Sequence, residues 1–134
     1  MADTVTSQTI QDGEKTAILK FTNESDGSGE ASVKKVDVSA LANNSAGDAC
    51  SSVSISRIYW ACRGMGVDIE FDASTNVLAI PLPADSTGDE YYDLFTGIPN
   101  NAGSGVTGDI DFTTVGHSNG DAYSIILILS KNYG

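Results

Sequence analysis

The C-terminal stretch from Gly97 to Lys131 contains the feature that most limits how this chain can fold. Between Tyr123 and Leu129, large apolar side chains alternate along one face of an extended chain, and Ile126 and Ile128 occupy the other face. A β-strand that is apolar on both faces belongs in the middle of a sheet, with cover on each side. We therefore predict that this segment is the central strand of the fold.

A second run, Ile110–Thr114, precedes it and alternates apolar with polar residues, which is typical of a half-buried strand. The polar segment Gly116–Asp121 separates the two runs and contains Asn119–Gly120, a dipeptide that supplies the positive φ angles of tight hairpins. The pattern predicts an antiparallel hairpin at the C terminus.

The rest of the chain predicts more strands separated by polar turns. They are Thr4–Ile10, Lys15–Thr22, Ala31–Val38, Ser52–Arg63, Val67–Asp72 and Val77–Leu82, with Tyr91–Phe95 ambiguous. The apolar phase slips between Val33 and Val36, which indicates a β-bulge, and Ala84–Glu90 has the composition of a loop.

About eight strands with almost no helix predict an all-β fold, a single antiparallel β-sandwich of the jelly-roll or another Greek-key type. Alternation does not reveal strand order, so both types stay open. We expect residues 1–13 to form an extended N-terminal arm or edge strand, and residues 14–134 to form the sandwich domain.

The charge balance excludes several function classes. The formal net charge is -11, and only 7 Lys and Arg residues are spread over 134 positions. A nucleic-acid groove needs clustered cations, and an anionic membrane surface would repel the chain, so neither partner is expected. The N-terminal residues lack a basic segment followed by an apolar one, which predicts synthesis in a cytoplasm.

The two cysteines, Cys50 and Cys62, are not expected to pair. If Ser52–Arg63 is one continuous strand, they lie about 40 Å apart. A disulfide requires Cα atoms within about 7 Å, so a bridge needs that strand to break or fold back. Two cysteines alone also cannot form a structural zinc site.

Acidic residues alternate along two predicted strands. Asp68, Glu70 and Asp72 share one face, and Asp109 and Asp111 share another. Paired carboxylates can hydrolyse glycosides or bind calcium when they are suitably spaced. Alternating acids on a strand are more often its solvated face, which is the interpretation that we favour.

Two further motifs give no catalytic centre. Gly103, Gly105 and Gly108 match G-x-G-x-x-G, but they follow a loop and precede a strand, whereas a dinucleotide site needs a strand before and a helix after. His117 is the only histidine and lies in a predicted turn, where a turn or interface role is expected. The sequence predicts no catalytic residue, no metal ligand and no cofactor.

The aromatic residues allow two interpretations. They are Tyr59, Trp60, Tyr91, Tyr92 and Phe95. Together they would suit a sugar-binding platform. Alternatively, Trp60 belongs to the core and Tyr91–Phe95 forms a subunit interface.

Several segments resemble a family of small structural proteins encoded by tailed bacteriophages, including cyanophages. They are KFTNESDGSGE (20–30), VKKVDVSAL (34–41), GMGVDIEFDA (64–73) and GIPNNAGSGVTGDIDFTTVGHSNGDAYSIILILSK (97–131). The likeness covers roughly residues 14–131 and is most specific at NNAG, TGDI, TVGH and GD-Y-I. It implies a part of a phage particle and carries no catalytic motif.

The expectation is a non-enzymatic virion protein, most specifically a capsid cement (decoration) protein on the outer surface of the head, made in the host cytoplasm. Its partners would be the major capsid protein and copies of itself, as a trimer, with the N-terminal arm ordering on a neighbour. The candidate interface residues are Thr4, Val5, Gln8, Tyr91, Tyr92, Phe95 and His117. The alternatives are a tail, neck or fibre component and a carbohydrate- or receptor-binding module.

Overall fold

A computed structural model describes residues 3–92 and 97–133, and these residues form two antiparallel β-sheets packed face to face. The elements are β1 (Thr4–Asp12), β2 (Thr16–Glu24), β3 (Val33–Val36), a 3₁₀ turn (Val38–Ala40), β4 (Cys50–Arg63), β5 (Gly66–Phe71), β6 (Val77–Leu82), β7 (Thr87–Tyr91), β8 (Ile110–Val115) and β9 (Ala122–Tyr133). The prediction of an all-β antiparallel sandwich is confirmed.

The strand order resolves the topology that alternation left open. One sheet has the order β1-β2-β9-β4-β7 and the other β3-β8-β5-β6. If β1 is left out and the remaining eight strands, β2 to β9, are renumbered 1 to 8, one sheet has the order 1-8-3-6 and the other has the order 2-7-4-5. This is the order of a jelly roll.

β9 is the middle strand of the five-stranded sheet, as predicted. It pairs with β2 on one side and with β4 on the other. On its inner face Ile125, Leu127 and Leu129 are fully buried. Aromatic rings join the two sheets, since Phe112 of β8 lies edge-on to Phe21 of β2 with ring centroids 5.4 Å apart.

The predicted C-terminal hairpin is wrong, because β8 and β9 lie in different sheets. The turn itself forms, with the Asp121 amide donating to the Ser118 carbonyl at 3.0 Å and Gly120 at φ +92°. The same turn is held by the loop after β2, where the Gly120 amide donates to the Ser25 carbonyl at 2.8 Å. The segment therefore crosses from one sheet to the other instead of closing a two-strand ladder.

β7 is the strand that the sequence did not predict. It begins in the segment Ala84–Glu90, which was expected to be a loop, and ends at Tyr91, the first residue of the ambiguous segment. It pairs with β4 from Arg57 to Ala61. Four of its five residues are exposed, so it shows no apolar alternation. Most of the ambiguous segment Tyr91–Phe95 lies outside the described residues.

Two smaller predictions agree with the structure. The register of β3 against β8 shifts between Lys34 and Val36, where the bulge was expected. Cys50 and Cys62 stand near opposite ends of the continuous strand β4, and both are free and buried.

The central position of β9 predicts that alanine substitutions on its two faces lower the free energy of unfolding by different amounts. Leu127→Ala removes a fully buried side chain between the sheets and should lower the free energy of unfolding by about 2–5 kcal/mol. Ile126→Ala, on the partly exposed outer face, should lower it distinctly less. Urea denaturation of the two variants measures the difference, and equal losses would contradict this assignment of faces.

Candidate interaction surface

The outer face of the five-stranded sheet carries a strip of large side chains, which we call the apolar face and define as Ile18, Tyr59, Tyr91, Ile126 and Ile128. Residues that are directly opposite in an antiparallel ladder project to the same side of the sheet. The register places Ile18 beside Ile128, Ile128 beside Arg57, and Arg57 beside Tyr91. In the neighbouring row, Lys20, Ile126 and Tyr59 are aligned in the same way.

The aromatic end of the apolar face is locally ordered. The rings of Tyr59 and Tyr91 meet edge-on with centroids 6.1 Å apart, and their hydroxyl oxygens are 3.1 Å apart. The Arg57 guanidinium lies 4.5 Å from the centroid of the Tyr91 ring, within the range of a cation–π interaction. Tyr91 nevertheless remains 49% exposed, so this corner presents a preformed aromatic surface to solvent.

The pattern of β9 predicted cover on both faces, and this expectation is wrong for the outer one. The inner residues are buried by the second sheet, whereas Ile126 and Ile128 remain partly open to solvent. The two rows through these isoleucines contain three charged residues, namely Lys20, Arg57 and Asp89. The formal charges of these three residues add up to +1, whereas the whole chain has a net charge of -11.

The opposite face of the sandwich is acidic. β5 and β8 are neighbours, so Glu70 lies opposite Asp111 and Asp68 opposite Thr113. The two sets of acids that the sequence placed on separate strands therefore share one surface. Glu70 accepts hydrogen bonds there from Ser32, Asn76 and Thr113.

Asp109 and Asp111 are not solvated as expected, since they are only 4% and 3% exposed. Asp109 accepts a hydrogen bond from the Val38 amide at 2.9 Å and forms an ion pair with Lys34 at 2.9 Å. The loops that flank β5 and β8 cover this end of the sheet, with the Thr107 amide donating to the Asp72 carbonyl at 3.2 Å.

Asp111 and Asp72 form a hydrogen-bonded carboxyl pair. Burial, followed by the bond to Asp72, raises the pKa of Asp111 to about 6. The hydroxyl of Thr107 donates to Asp72 at 2.7 Å, and this bond together with that from Asp111 lowers the pKa of Asp72. Among the described side chains, no group of three or more His, Cys, Asp or Glu could hold a metal ion.

The raised pKa of Asp111 predicts a pH-dependent stability. Between the ordinary pKa of 3.8 and about 6, the folded chain keeps a proton that the unfolded chain releases, so the free energy of unfolding falls as the pH rises through this window. Asp111→Asn keeps a donor toward Asp72 and should remove most of this loss, on the order of 1–3 kcal/mol at neutral pH.

Thermal unfolding of this variant and of the wild type between pH 4 and 7 is the measurement. Asp68→Asn, on the same face of β5 but outside the pair, is the matched control and should follow the wild-type curve. Parallel curves for all three proteins would contradict the assignment.

His117 belongs to a buried polar network beneath the loop that follows β2. Its Nδ1 lies 3.0 Å from the Thr114 hydroxyl, and its ring packs so closely on Gly29 that a Cβ there would approach to 2.3 Å. Next to it, Glu30 accepts from Lys35 at 2.5 Å and from the Tyr123 hydroxyl at 2.6 Å. Burial and this last bond raise the pKa of Tyr123, which keeps its hydroxyl a donor.

The buried Glu30–Lys35 pair predicts that removing one charge lowers stability more than removing both. The side chains are 5% and 3% exposed, so Lys35→Met leaves an uncompensated buried carboxylate and should cost about 3–5 kcal/mol. The double variant Lys35→Met/Glu30→Gln should recover most of this loss, because the amide still accepts from Tyr123. Chemical denaturation tests both, and a double variant no more stable than the single one would refute this account.

The sequence-predicted interface residues are not all brought together. Thr4, Val5 and Gln8 are exposed on β1, and Tyr91 lies at the far edge of the same sheet, four strand spacings or about 19 Å away. Tyr92 packs partly against the core, with its amide donating to the Ser56 carbonyl at 2.7 Å. Phe95 lies outside the described residues.

Sequence reasoning missed Ile18 of the apolar face and the adjoining Arg57, and it named Tyr59 only as part of a possible sugar-binding platform. The available signal was the alternation within β2 and β4, which separates these residues from the buried positions between them. Trp60 faces the interior, and its indole N–H donates to the Ser86 hydroxyl at 3.0 Å, so it takes no part in an aromatic platform.

An open depression of about 570 Å³ lies at one end of the sandwich, lined by Glu14, Lys15, Lys131 and Tyr133 among others. The ammonium group of Lys131 is already bound by Asp12 at 2.7 Å and by the carbonyl oxygens of Gly13 and Ala42, both at 2.8 Å. Its three donors are thus committed to the fold, and the depression offers no free buried charge to a ligand.

Comparison with known proteins adds no identity. No family model matches the sequence, and a search of curated proteins finds no significant match. Within the described ranges, no helix has the length and apolar character needed to cross a membrane.

Proposed function

We propose that this chain is a non-enzymatic structural protein of a tailed-bacteriophage virion, and specifically a capsid cement protein on the outer surface of the head. The observation that carries the proposal is the apolar face, which leaves the central strand partly open to solvent on a strongly acidic chain. The sequence resemblance over residues 14–131 supports the same assignment. The jelly-roll order adds only fold-level analogy, since viral capsid proteins and lectins both use it.

The physical role of the apolar face follows from its composition. Burying it against a partner recovers about 25 cal/mol for each Å² of apolar surface removed from water. Its two central rows have no excess negative charge, so docking there avoids the repulsion that the acidic sheet would meet on an anionic surface. The acidic face then points to solvent and keeps the particle surface soluble.

Cementing requires no chemistry at a reactive centre. A protein that binds the assembled lattice more tightly than free subunits stabilises the lattice by mass action. The major capsid protein is the proposed partner, and many copies on one head add their weak contacts through multivalency. The chain is made in the host cytoplasm and acts on the finished head.

A carbohydrate- or receptor-binding module is the second candidate, and one observation favours it. The exposed Tyr91 ring, the adjoining Tyr59 ring and Arg57 form a small aromatic surface of the kind on which sugar rings stack. On this alternative the protein belongs to a tail, neck or fibre, and a glycan array should give a signal that Tyr91→Ala removes.

Stoichiometry in purified virions tests the proposal. Quantitative mass spectrometry against the major capsid protein should find on the order of hundreds of copies per particle, as a head lattice requires. A dozen copies or fewer would place the protein in the tail or neck, and absence from particles would refute a virion role.

Rebinding to heads that lack the protein tests the surface. The wild type and Val115→Glu, which alters an exposed apolar residue outside the apolar face, should both bind. Ile128→Glu should bind at least tenfold more weakly, because it places a charge in the centre of the proposed contact. Circular dichroism confirms that each variant is folded, and equal binding of both variants would contradict the assignment of the face.

A further inference from the structure

The two sheets of the described chain end in four edge strands, and β1 is the least protected of them against pairing with another chain, since its only such device is a bulge near its end. Natural sheets protect their edges with charges, proline, bulges or very short strands. β3 is four residues long and contains two lysines, β6 contains Pro81, and β7 has two acidic residues among its five. β1 runs for nine residues, and from Thr4 to Gln11 it contains no charge and no proline.

The side chains of β1 are exposed to solvent as well as its outer edge. Every residue from Thr4 to Gln11 is exposed, including Val5 at 43% and Ile10 at 50%. Within the described residues, β1 pairs only with β2, and its sole irregularity is a register shift between Thr9 and Gln11. Its outer backbone groups are therefore available to another strand.

We propose that β1 pairs antiparallel with β1 of a second copy of this chain. Six of its nine side chains are Thr, Ser or Gln, whose hydroxyl and amide groups both donate and accept hydrogen bonds, so the strand can pair with itself. Cross-strand pairs of this kind stabilise a sheet, and the open backbone groups complete the ladder.

The charges at the two ends of β1 neither match nor strongly oppose this partner. In an antiparallel seam, the Thr4 end of one copy, with Asp3 and Glu24 beside it, lies next to the turn end of the other copy. There the exposed Glu14 and Lys15 offset each other, and Asp12 is paired with Lys131. The middle of the seam is neutral, since Thr4 to Gln11 contains no charged residue.

The geometry has a consequence for the surface of the dimer. A two-fold axis perpendicular to the sheet keeps the outer sides of both copies on the same side. The seam thus joins two five-stranded sheets into one ten-stranded sheet that presents two apolar faces in one direction. This symmetry gives a dimer and not the trimer expected from the sequence, and it holds whether or not the protein belongs to a capsid.

Sedimentation of the purified full chain, together with hydrogen exchange, tests the seam. At physiological salt and rising protein concentration, a species of twice the 13.9 kDa chain should form, and the β1 amides should become protected in parallel. A monomer at all concentrations, a trimer, or a dimer whose β1 amides exchange as in the monomer would overturn the proposal.

Charge variants separate the seam from other contacts. Ser7→Lys/Thr9→Lys should weaken dimerisation about tenfold or more, because it places like charges across the two-fold axis. Mixing this variant with Ser7→Glu/Thr9→Glu should restore a heterodimer. Thr87→Lys, on the opposite edge of the same sheet, is the matched control and should dimerise as the wild type does. Failure of the mixture to restore pairing, or an equal effect of Thr87→Lys, would refute the seam.

Discussion

Burial of the inner face of β9 is the interaction on which the structure depends. Three fully buried residues of this strand, Ile125, Leu127 and Leu129, lie over the second sheet, while β2 and β4 hold its two edges. Because a β-strand alternates sides, the same arrangement directs Ile126 and Ile128 outward. The partly open apolar face is therefore a direct consequence of how the core is built.

The sandwich has two unlike outer surfaces for this reason. The five-stranded sheet places large apolar and aromatic side chains outward with few charges, and the four-stranded sheet places its acids outward. A chain with a net charge of -11 would repel most anionic surfaces, so the near-neutral side is the physically favoured contact. Two surfaces of such different composition are consistent with the proposed function, in which one side binds a partner and the other faces water.

Buried polar groups connect segments of the fold through hydrogen bonds and ion pairs. Glu30 joins Lys35 and Tyr123, Lys131 joins Asp12 and two carbonyl groups, and Asp111 joins Asp72. Each group pairs segments that are distant in the chain, and a buried charge without its partner is costly. These contacts make loop positions specific in a core that is otherwise apolar. They also account for His117, whose ring braces the loop at Gly29.

Local pattern determined which segments are strands, that β9 is central, that β3 is bulged and that Asn119–Gly120 forms a turn, because alternation and turn chemistry depend on neighbouring residues. Tertiary structure alone decided the jelly-roll order, the crossing of Gly116–Asp121 between sheets, strand β7 and the burial of Asp109 and Asp111. The partner of a strand depends on residues far away in the chain, and no local period encodes them. The candidate surface also depends on tertiary structure, since Ile18, Arg57 and Tyr91 share one row only because β9 lies between β2 and β4 and β7 pairs with β4.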